Sequence, residues 1–320
     1  MKAMICTTYG APDVLQLKDL DRPAPGAKDV LIRVRAAVVG PSDCAFRKGD
    51  PFIVKLLYGL SRPRLKVFGV EFAGEVEAVG AAVTQFRPGD QVFGMSPSRF
   101  GAHAEYLCLP EDKPLIVKPA ATTYEDIVAI CDGLPTALTF LKDKARLQPG
   151  QSILINGASG AVGAYAVQLA RHIGARVTGV CSGANRDLVQ SLGADAVIDY
   201  TREDFTAGGQ TYDVVFDAVG KSSFGRCKGI LAPRGVYLST APSLGIVVQM
   251  LRTKLFGRRK AIFATAGLMQ TKASLGLLTE LIESGAIQPV IDRSYPLEQI
   301  AAAHHYVDQG HKKGNVVITL

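Results

Sequence analysis

The sequence predicts an α/β protein of two domains, because its pattern changes once along the chain. Residues 1 to about 120 contain short stretches in which apolar and polar residues alternate, such as DVLIRVRAAVV at 29–39, separated by Pro and Gly. This alternation is typical of antiparallel strands, and we expect a barrel-like domain. From about residue 150, apolar strand-like runs alternate with helical patterns. That alternation is typical of a doubly wound parallel sheet.

The strands of the parallel sheet are marked by apolar runs: SILIN at 152–156, RVTGVC at 176–181, AVIDY at 196–200, DVVFDA at 213–218, GVYLST at 235–240 and AIFATA at 261–266. A helical pattern near 270–284 follows, and then two further strand signals, PVID and NVVITL. We expect these last strands to return to the first domain. The predicted domains are therefore residues 1–121 with 286–320, and residues 122–285.

Composition and charge limit the classes of protein that fit this chain. Of its 320 residues, 48% are hydrophobic, which is enough for a core in each domain. No apolar run approaches the roughly 20 residues of a membrane-spanning helix, and MKAMICTTYG lacks the apolar segment of a secretory signal. The six cysteines are scattered without a C-x-x-C pair. We expect a cytoplasmic protein whose net charge of +7 favours an anionic ligand.

The strongest motif is INGASGAVGAYAVQLARHIGARV at 155–177, which predicts a strand, a glycine turn, a helix and the next strand. Its core is a variant of the dinucleotide fingerprint in which Ala158 replaces the first Gly. Gly160 would let the backbone approach a pyrophosphate, and Gly163 would let the helix pack closely on the sheet. The alternative is a tight turn without a ligand. The predicted contacts of this turn are Ala158, Ser159, Gly160, Ala161, Val162 and Gly163.

The residues after the second predicted strand favour NADPH over NADH. NAD-specific sites place an acid there to bind the ribose 2′-hydroxyl, but this chain has CSG at 181–183. Ser182, Arg186 and Tyr200 are the predicted ligands of a 2′-phosphate. The alternative is that Arg186 is only a solvated charge on a helix. Further predicted cofactor contacts are Val219, Phe263, Ala264 and Asn315.

Several stretches together carry a family resemblance: GPSDCAFRKGD at 40–50, VFGVEFAGEVEAVG at 67–80, FRPGDQVFG at 86–94, GAHAEY at 101–106, NGASGAVG at 156–163, LGADAVIDY at 192–200 and GHKKGNVVITL at 310–320. They resemble the medium-chain dehydrogenase/reductase superfamily, and its quinone oxidoreductase-like branch in particular. The resemblance implies a GroES-like barrel domain joined to a Rossmann domain. It also implies a homodimer, because AIFATAG at 261–267 resembles the edge strand through which family dimers pair their sheets.

The same resemblance predicts that no catalytic zinc is bound. Zinc-dependent relatives carry a Cys-His-Thr-Asp-like stretch where this chain has GPSD at 40–43, and Gly-His-Glu where it has GVE at 69–71. Their third ligand falls near Asp132, with Cys131 one position away. Catalytic zinc needs three protein ligands, and at most one remains. Glu71 is left as a carboxylate in an apolar stretch, and we expect an Arg or Lys to pair with it.

Without a metal to hold an alkoxide, reduction of an activated double bond is easier than oxidation of a simple alcohol. We therefore predict a zinc-independent, NADPH-dependent oxidoreductase that transfers hydride to a quinone or an α,β-unsaturated carbonyl. Ser42, which matches a proton-relaying hydroxyl residue of zinc relatives, and Tyr58 are the candidate oxyanion donors. Alternatively, Ser42 caps the following turn, Tyr58 makes a plain apolar contact, and solvent supplies the proton.

Two other functions remain open at this point. One is a metal-free carbonyl or alcohol oxidoreductase of the same fold, and the other is a non-catalytic NADPH-binding regulatory protein. The segment LGIVVQMLRTKLFGRRK at 244–260 joins an apolar helical run to a basic cluster. A membrane-surface patch and a nucleic-acid patch are both possible interpretations of this segment. Because it has few aromatic residues to stack on bases, we expect no specific nucleic acid and interpret it as a solvated rim beside the substrate cleft. His304 is expected at the surface.

Overall fold

The computed structural model describes residues 1–264 and 270–320, and the chain divides into two compact units. The first unit consists of Met1–Asp132, Gln270–Glu283 and Pro289–Leu320, and the second of Gly133–Met269 and Ser284–Gln288. This division places residues 122–132 and Gln270–Glu283 with the first unit and residues 286–288 with the second, whereas the sequence assigned residues 122–285 to the second domain and 286–320 to the first. The predicted domain boundaries stay a prediction.

The described residues form the following strands and helices. The strands are β1 (Lys2–Cys6), β2 (Leu15–Asp19), β3 (Asp29–Val38), β4 (Glu71–Val79), β5 (Gln91–Met95), β6 (Tyr106–Pro110), β7 (Leu115–Val117), β8 (Ser152–Asn156), β9 (Arg176–Cys181), β10 (Ala196–Asp199), β11 (Tyr212–Asp217), β12 (Leu231–Ser239), β13 (Lys260–Phe263), β14 (Ile291–Pro296) and β15 (Asn315–Thr319). The α-helices are α1 (Pro41–Lys48), α2 (Phe52–Tyr58), α3 (Tyr124–Leu138), α4 (Ala161–Ile173), α5 (Arg186–Ser191), α6 (Phe224–Cys227), α7 (Leu244–Phe256), α8 (Lys272–Glu283) and α9 (Ile300–Asp308). Within the described residues, no helix is long and apolar enough to span a membrane.

The first unit is built on a mainly antiparallel sheet. Its strand order is β14-β15-β3-β4-β5-β7, with β6 also paired to β3, while β1 and β2 form a separate two-stranded sheet. The final strand, β15, runs antiparallel to β3, so that Val317 lies opposite Val38. In β3, exposed Arg33 alternates with buried Ile32 and Val34, as the alternating sequence pattern predicted.

The second unit contains the predicted parallel sheet. Its six strands follow the order β10-β9-β8-β11-β12-β13, and every neighbouring pair is parallel. β8 is buried along its whole length because it lies inside the sheet. The order turns around at β8, so the turn after this strand lies where doubly wound sheets bind their ligands.

One edge strand of this sheet is β13, which pairs with β12 in the described residues. The segment predicted to pair two subunits, 261–267, extends beyond it, and its residues 265–267 lie outside the described residues. The homodimer therefore stays a prediction.

Candidate active site

The turn after β8 is held by backbone hydrogen bonds and requires glycine at one position. Gly157 has φ +81°, which side-chain-bearing residues rarely adopt. Its N–H and that of Ala158 both donate to the Val180 carbonyl oxygen at 3.0 Å, and Gly160 N–H donates to Gly157 O at 3.0 Å. The predicted tight turn between strand and helix is therefore formed, and Val219 packs over it, since a Cβ on Gly157 would lie 2.4 Å from Val219 Cγ1.

The two glycines of the motif meet different surroundings. A Cβ on Gly163 would lie 2.0 Å from Gly157 O and 2.9 Å from Ala158 Cα, so only glycine lets α4 approach the turn this closely. A Cβ on Gly160 would meet only Gly157 O, at 3.5 Å. Space is therefore open beside Gly160, as a pyrophosphate-binding turn requires.

The start of α4 is suited to bind an anion. Gly160 is its N-cap, and no side chain within the described residues caps the helix there. The first N–H groups of α4, with the partial positive charge of the helix end, are therefore available to a diphosphate. Ala158, Ser159 and Ala161 line this start and are buried, while Val162 is half-buried.

The predicted 2′-phosphate ligands follow neighbouring strands. The parallel register of β9 and β10 pairs Cys181 with Asp199, and Tyr200 N–H donates to Cys181 O at 3.2 Å. Ser182, half-buried, and Tyr200, exposed, are thereby brought to the same edge of the sheet. Arg186 is the first residue of α5 and is exposed.

Sequence reasoning missed a carboxylate at this edge. Asp199 ends β10, and a Cβ on Gly183 would lie 2.5 Å from its Oδ2 atom. The Asp199 Oδ1 atom accepts hydrogen bonds from Thr201 Oγ1 at 2.8 Å and Thr201 N at 3.0 Å. These bonds hold the pKa of Asp199 below its usual value. Asp199, at the end of β10, therefore lies beside the end of β9. The parallel register of these two strands is the signal that predicts this position.

A second missed group is Asp217, at the end of β11. This fully buried carboxylate accepts hydrogen bonds from Asn156 Nδ2 at 2.9 Å, Tyr237 Oη at 3.1 Å and Ser222 N at 2.8 Å. These contacts join the ends of β8 and β11 to β12 and to the turn after β11. Asp217 therefore fixes the rim of the dinucleotide turn.

The other predicted cofactor residues lie in different places. Phe263 and Ala264 are half-buried at the end of β13. Asn315 belongs to the first unit, where it is fully buried, and its Nδ2 atom donates to Val290 O at 3.2 Å. Contact of these residues with a cofactor stays a prediction.

The candidate oxyanion donors, Ser42 and Tyr58, both belong to the first unit. Ser42 is exposed in the first turn of α1. The N-cap of α1 is Gly40, whose N–H donates to Asp43 Oδ2 at 2.9 Å, so the described contacts do not make Ser42 the cap. Tyr58 ends α2, and its ring stacks on Phe100 with centroids 5.4 Å apart. Partial burial raises the pKa of Tyr58, which keeps its hydroxyl a hydrogen-bond donor.

Three carboxyl groups lie close together in the first unit. Asp43 and Glu71 are 1% and 6% exposed, and a Cβ on Gly40 would lie 3.1 Å from Asp132 Oδ1. Burial and mutual repulsion raise the pKa of Asp43 and raise that of Glu71 well above its usual value. The Oδ1 atom of Asp43 and the Oδ2 atom of Asp132 are buried without a hydrogen-bond partner among the described residues. This carboxyl cluster (Asp43, Glu71, Asp132) therefore retains protons above the usual carboxyl range.

The expectation that an Arg or Lys pairs with Glu71 is wrong for the part of the chain that the structure describes, where no cation forms an ion pair with it. The charged groups that act on Glu71 are Asp132 and Asp43. Lys312 acts on Asp132 and lowers its pKa, against the larger effect of burial. Glu71 avoids the cost of a buried charge by staying protonated.

His304, expected at the surface, is fully buried. It lies on the inner face of α9, where Arg47 Nε donates to its Nδ1 atom at 3.3 Å. Burial lowers the pKa of His304 well below its usual value, so the ring is neutral. His103 is also buried, and its Nε2 atom donates to Val38 O at 2.8 Å. Neither imidazole is a surface group.

Comparison with known proteins places this geometry in a family. Residues 26–120 match the alcohol dehydrogenase GroES-like domain, and residues 192–318 match a domain described as zinc-binding dehydrogenase. The chain is 31% identical to the chloroplastic NADPH-dependent alkenal/one oxidoreductase of Arabidopsis thaliana, over 99% of the chain and 79% of that protein. It is also 31% identical to a quinone oxidoreductase of Pseudomonas aeruginosa, over 97% of each. The chain belongs to the medium-chain dehydrogenase/reductase superfamily.

Solved structures of the superfamily agree with this assignment. The quinone oxidoreductase from Coxiella burnetii superimposes with a TM-score of 0.90 at 29% identity, covering 100% of this chain and 99% of that one. The predicted fold class, a GroES-like domain with a Rossmann-type parallel sheet, is confirmed. As a member of the superfamily the protein is an oxidoreductase that uses a nicotinamide cofactor. Because a relative is chloroplastic, the cytoplasmic location stays a prediction.

The residues at the superfamily's zinc position do not fit a catalytic zinc. Gly40 carries no ligand atom, and the space that a side chain there would enter is taken by Asp132 Oδ1. Val70 is apolar and buried. In residues 1–264 and 270–320, no group of three or more His, Cys, Asp or Glu side chains is arranged to hold a metal ion. The three-ligand set that this metal requires is therefore not formed by these side chains.

Proposed function

We propose that this protein is a zinc-independent, NADPH-dependent reductase of quinones or α,β-unsaturated carbonyls. The observation that carries the proposal is the replacement of the zinc ligands at Gly40 and Val70 in a chain that keeps the dinucleotide turn. The names of the relatives, an alkenal/one oxidoreductase and a quinone oxidoreductase, support this substrate class. Element analysis of the purified protein tests the metal half of the proposal, since stoichiometric zinc would contradict it.

The residues of the chain have separate tasks in this reaction. The bound cofactor supplies a hydride equivalent. The N–H groups at the start of α4 bind its diphosphate, and Arg186, with Ser182 and Tyr200, binds the 2′-phosphate. In the first unit, the hydroxyls of Ser42 and Tyr58 donate hydrogen bonds to the oxygen that gains negative charge. One oxyanion donor of this kind contributes about 2.7 to 4 kcal/mol to the stability of a transition state.

Arg186→Ala is expected to weaken NADPH binding by about tenfold or more and to leave NADH binding near the wild-type value. A charge-assisted hydrogen bond to phosphate contributes roughly 1.5 to 3 kcal/mol, and NADH has no 2′-phosphate. Fluorescence titration with each nucleotide measures the effect. Arg171→Ala is the matched control, because Arg171 is an exposed arginine at the far end of α4. Equal NADPH affinity in wild type and Arg186→Ala would contradict binding of the 2′-phosphate by Arg186. Asp199 would then be the group that selects the ribose.

Ser42→Ala is expected to lower kcat for enone or quinone reduction by about a hundredfold, the usual effect of losing one oxyanion donor. Tyr58→Phe is expected to lower it by a similar factor. It removes the hydroxyl but keeps the ring contacts with Phe46 and Phe100, so its thermal unfolding should not change. If both variants keep wild-type kcat, neither side chain donates to the substrate.

NADPH oxidation with an enone, a quinone and an aldehyde, measured side by side, separates the proposed function from its alternatives. We expect turnover with the enone or the quinone and little with the aldehyde. Aldehyde reduction alone would make the protein a metal-free carbonyl reductase. Tight NADPH binding without turnover on any substrate would make it a non-catalytic NADPH-binding protein.

A further inference from the structure

Helix α7 turns an apolar surface toward solvent. Leu244, Leu251, Leu255 and Phe256 are 82%, 61%, 71% and 90% exposed, and Val247 and Val248 are 44% and 43% exposed. Most of these positions repeat at intervals of three or four residues, so they lie along one face of the helix. This α7 stripe (Leu244, Val247, Val248, Leu251, Leu255, Phe256) is a continuous patch, unlike the single exposed apolar residues that are common on protein surfaces.

The opposite face of α7 is fixed to the second unit. Ile246 is buried in the core cluster that contains Val215 and Tyr237, and Met250 packs against it. Thr253 Oγ1 accepts a hydrogen bond from Ala261 N at 3.1 Å, which joins the helix to β13. At its start, Ser243 caps the helix by accepting a hydrogen bond from Ile246 N at 3.1 Å. The outward stripe therefore belongs to a well-anchored helix.

The charges along the segment that contains the stripe have one sign. Between Asp217 and Glu280 the chain contains no Asp or Glu, whereas it contains ten Lys and Arg. Arg252, Lys254 and Arg258 are exposed beside the stripe, and none of the three forms an ion pair with a described residue. A partner of α7 must therefore offer an apolar layer together with negative charge.

We propose that α7 docks on the surface of an anionic lipid bilayer. The stripe would enter the boundary between headgroups and acyl chains, and Arg252, Lys254 and Arg258 would contact lipid phosphates. The 13 residues of α7 are too few to cross a bilayer, so the helix lies in the plane of the surface. This placement does not depend on the proposed catalytic function.

The same charges make two other occupants less suitable. A second copy docked symmetrically on α7 would bring two cationic segments together without an acidic residue from either α7 segment. A nucleic acid would meet the cations, but aliphatic side chains offer no rings on which bases stack. Of these three occupants, the anionic bilayer is the one that complements both the apolar and the charged parts of the surface.

Sedimentation with phospholipid vesicles tests the proposal. We expect the wild-type protein to bind vesicles that contain phosphatidylglycerol much more tightly than vesicles of phosphatidylcholine alone, and to be released by salt. Leu251→Ser/Leu255→Ser and Arg252→Gln/Lys254→Gln should each weaken binding by about tenfold or more. The matched charge control is Lys142→Gln/Lys144→Gln, which removes two exposed cations elsewhere on the second unit and should bind like wild type.

All substituted side chains are exposed, so the variants should unfold thermally like wild type, and this is checked by circular dichroism. Failure of the wild type to bind anionic vesicles would overturn the proposal. Equal weakening by the control pair would also overturn it, because binding would then depend only on total charge. The same holds if sedimentation equilibrium shows a wild-type dimer that the stripe variant loses while lipid binding is unchanged, since a second copy would then cover α7.

Discussion

Gly163→Ala is expected to lower the free energy of unfolding by about 3 kcal/mol, which is at the upper end for an overpacked site. The added Cβ would lie 2.0 Å from Gly157 O and 2.7 Å from Gly157 C, and both atoms are backbone that cannot rotate away. Helix α4 must then move off β8. Urea denaturation followed by far-UV circular dichroism measures the change in the free energy of unfolding.

Gly160→Ala in the same turn provides the matched control. Its Cβ would meet only Gly157 O at 3.5 Å, and φ at Gly160 is −79°, which alanine adopts readily. We therefore expect wild-type stability together with NADPH binding weakened by about tenfold or more, because the methyl group would enter the space that a pyrophosphate needs. Equal stabilities of the two variants would contradict the packing role of Gly163. Unchanged NADPH affinity in Gly160→Ala would contradict the proposed pyrophosphate position.

The dinucleotide turn and the parallel sheet could be predicted from sequence because their signals are local. A strand, a glycine turn and a helix follow one another within 155–177, and each is specified by neighbouring residues. The packing role of Gly163 also follows from this order, since a helix that begins directly after a tight turn must pass close to it. Local patterns of this kind need no knowledge of the rest of the fold.

The positions of the carboxylates that sequence reasoning missed depend on strand register instead. Asp199 reaches the end of β9 because it is paired with Cys181, and Asp217 meets Asn156 because β11 pairs with β8. The carboxyl cluster is assembled from segments far apart in sequence, at residues 43, 71 and 132. A single sequence does not specify which segments become neighbours. The expectation of a basic partner for Glu71 therefore rests on burial alone. A carboxyl group can also avoid the cost of a buried charge by staying protonated, as Glu71 does here.

The sequence of helix α7 does not predict which of its apolar side chains are exposed. The segment LGIVVQM has apolar residues on both faces, so its sequence does not reveal which face meets the core. The structure buries Ile246 and leaves Leu244 and Leu251 exposed. The prediction of a solvated rim took the cations into account but not this exposed stripe.

Glu71→Gln is expected to become more stabilising, relative to wild type, as the pH rises. Burial and the neighbouring carboxyls raise the pKa of Glu71 in the folded state, so between its unfolded and folded pKa values the folded protein holds a proton that the unfolded chain has released. Wild-type stability therefore falls with rising pH, by up to about 1.4 kcal/mol per pH unit for one such group. Glutamine is neutral throughout and removes this dependence. Urea denaturation of both proteins between about pH 5 and pH 8 measures the difference.

Glu111→Gln provides a control of opposite sign. The Oε2 atom of Glu111 accepts hydrogen bonds from Thr84 N and Gln85 N, both at 2.9 Å, and these bonds lower its pKa. The stability that Glu111 contributes is present above its unfolded pKa and lost as the pH falls. Glu111→Gln should therefore be less stable than wild type near neutral pH and approach it in acid, whereas Glu71→Gln gains on wild type toward alkaline pH. A pH-independent difference between Glu71→Gln and wild type would show that Glu71 is ionised in the folded protein, and a cation must then lie beside it.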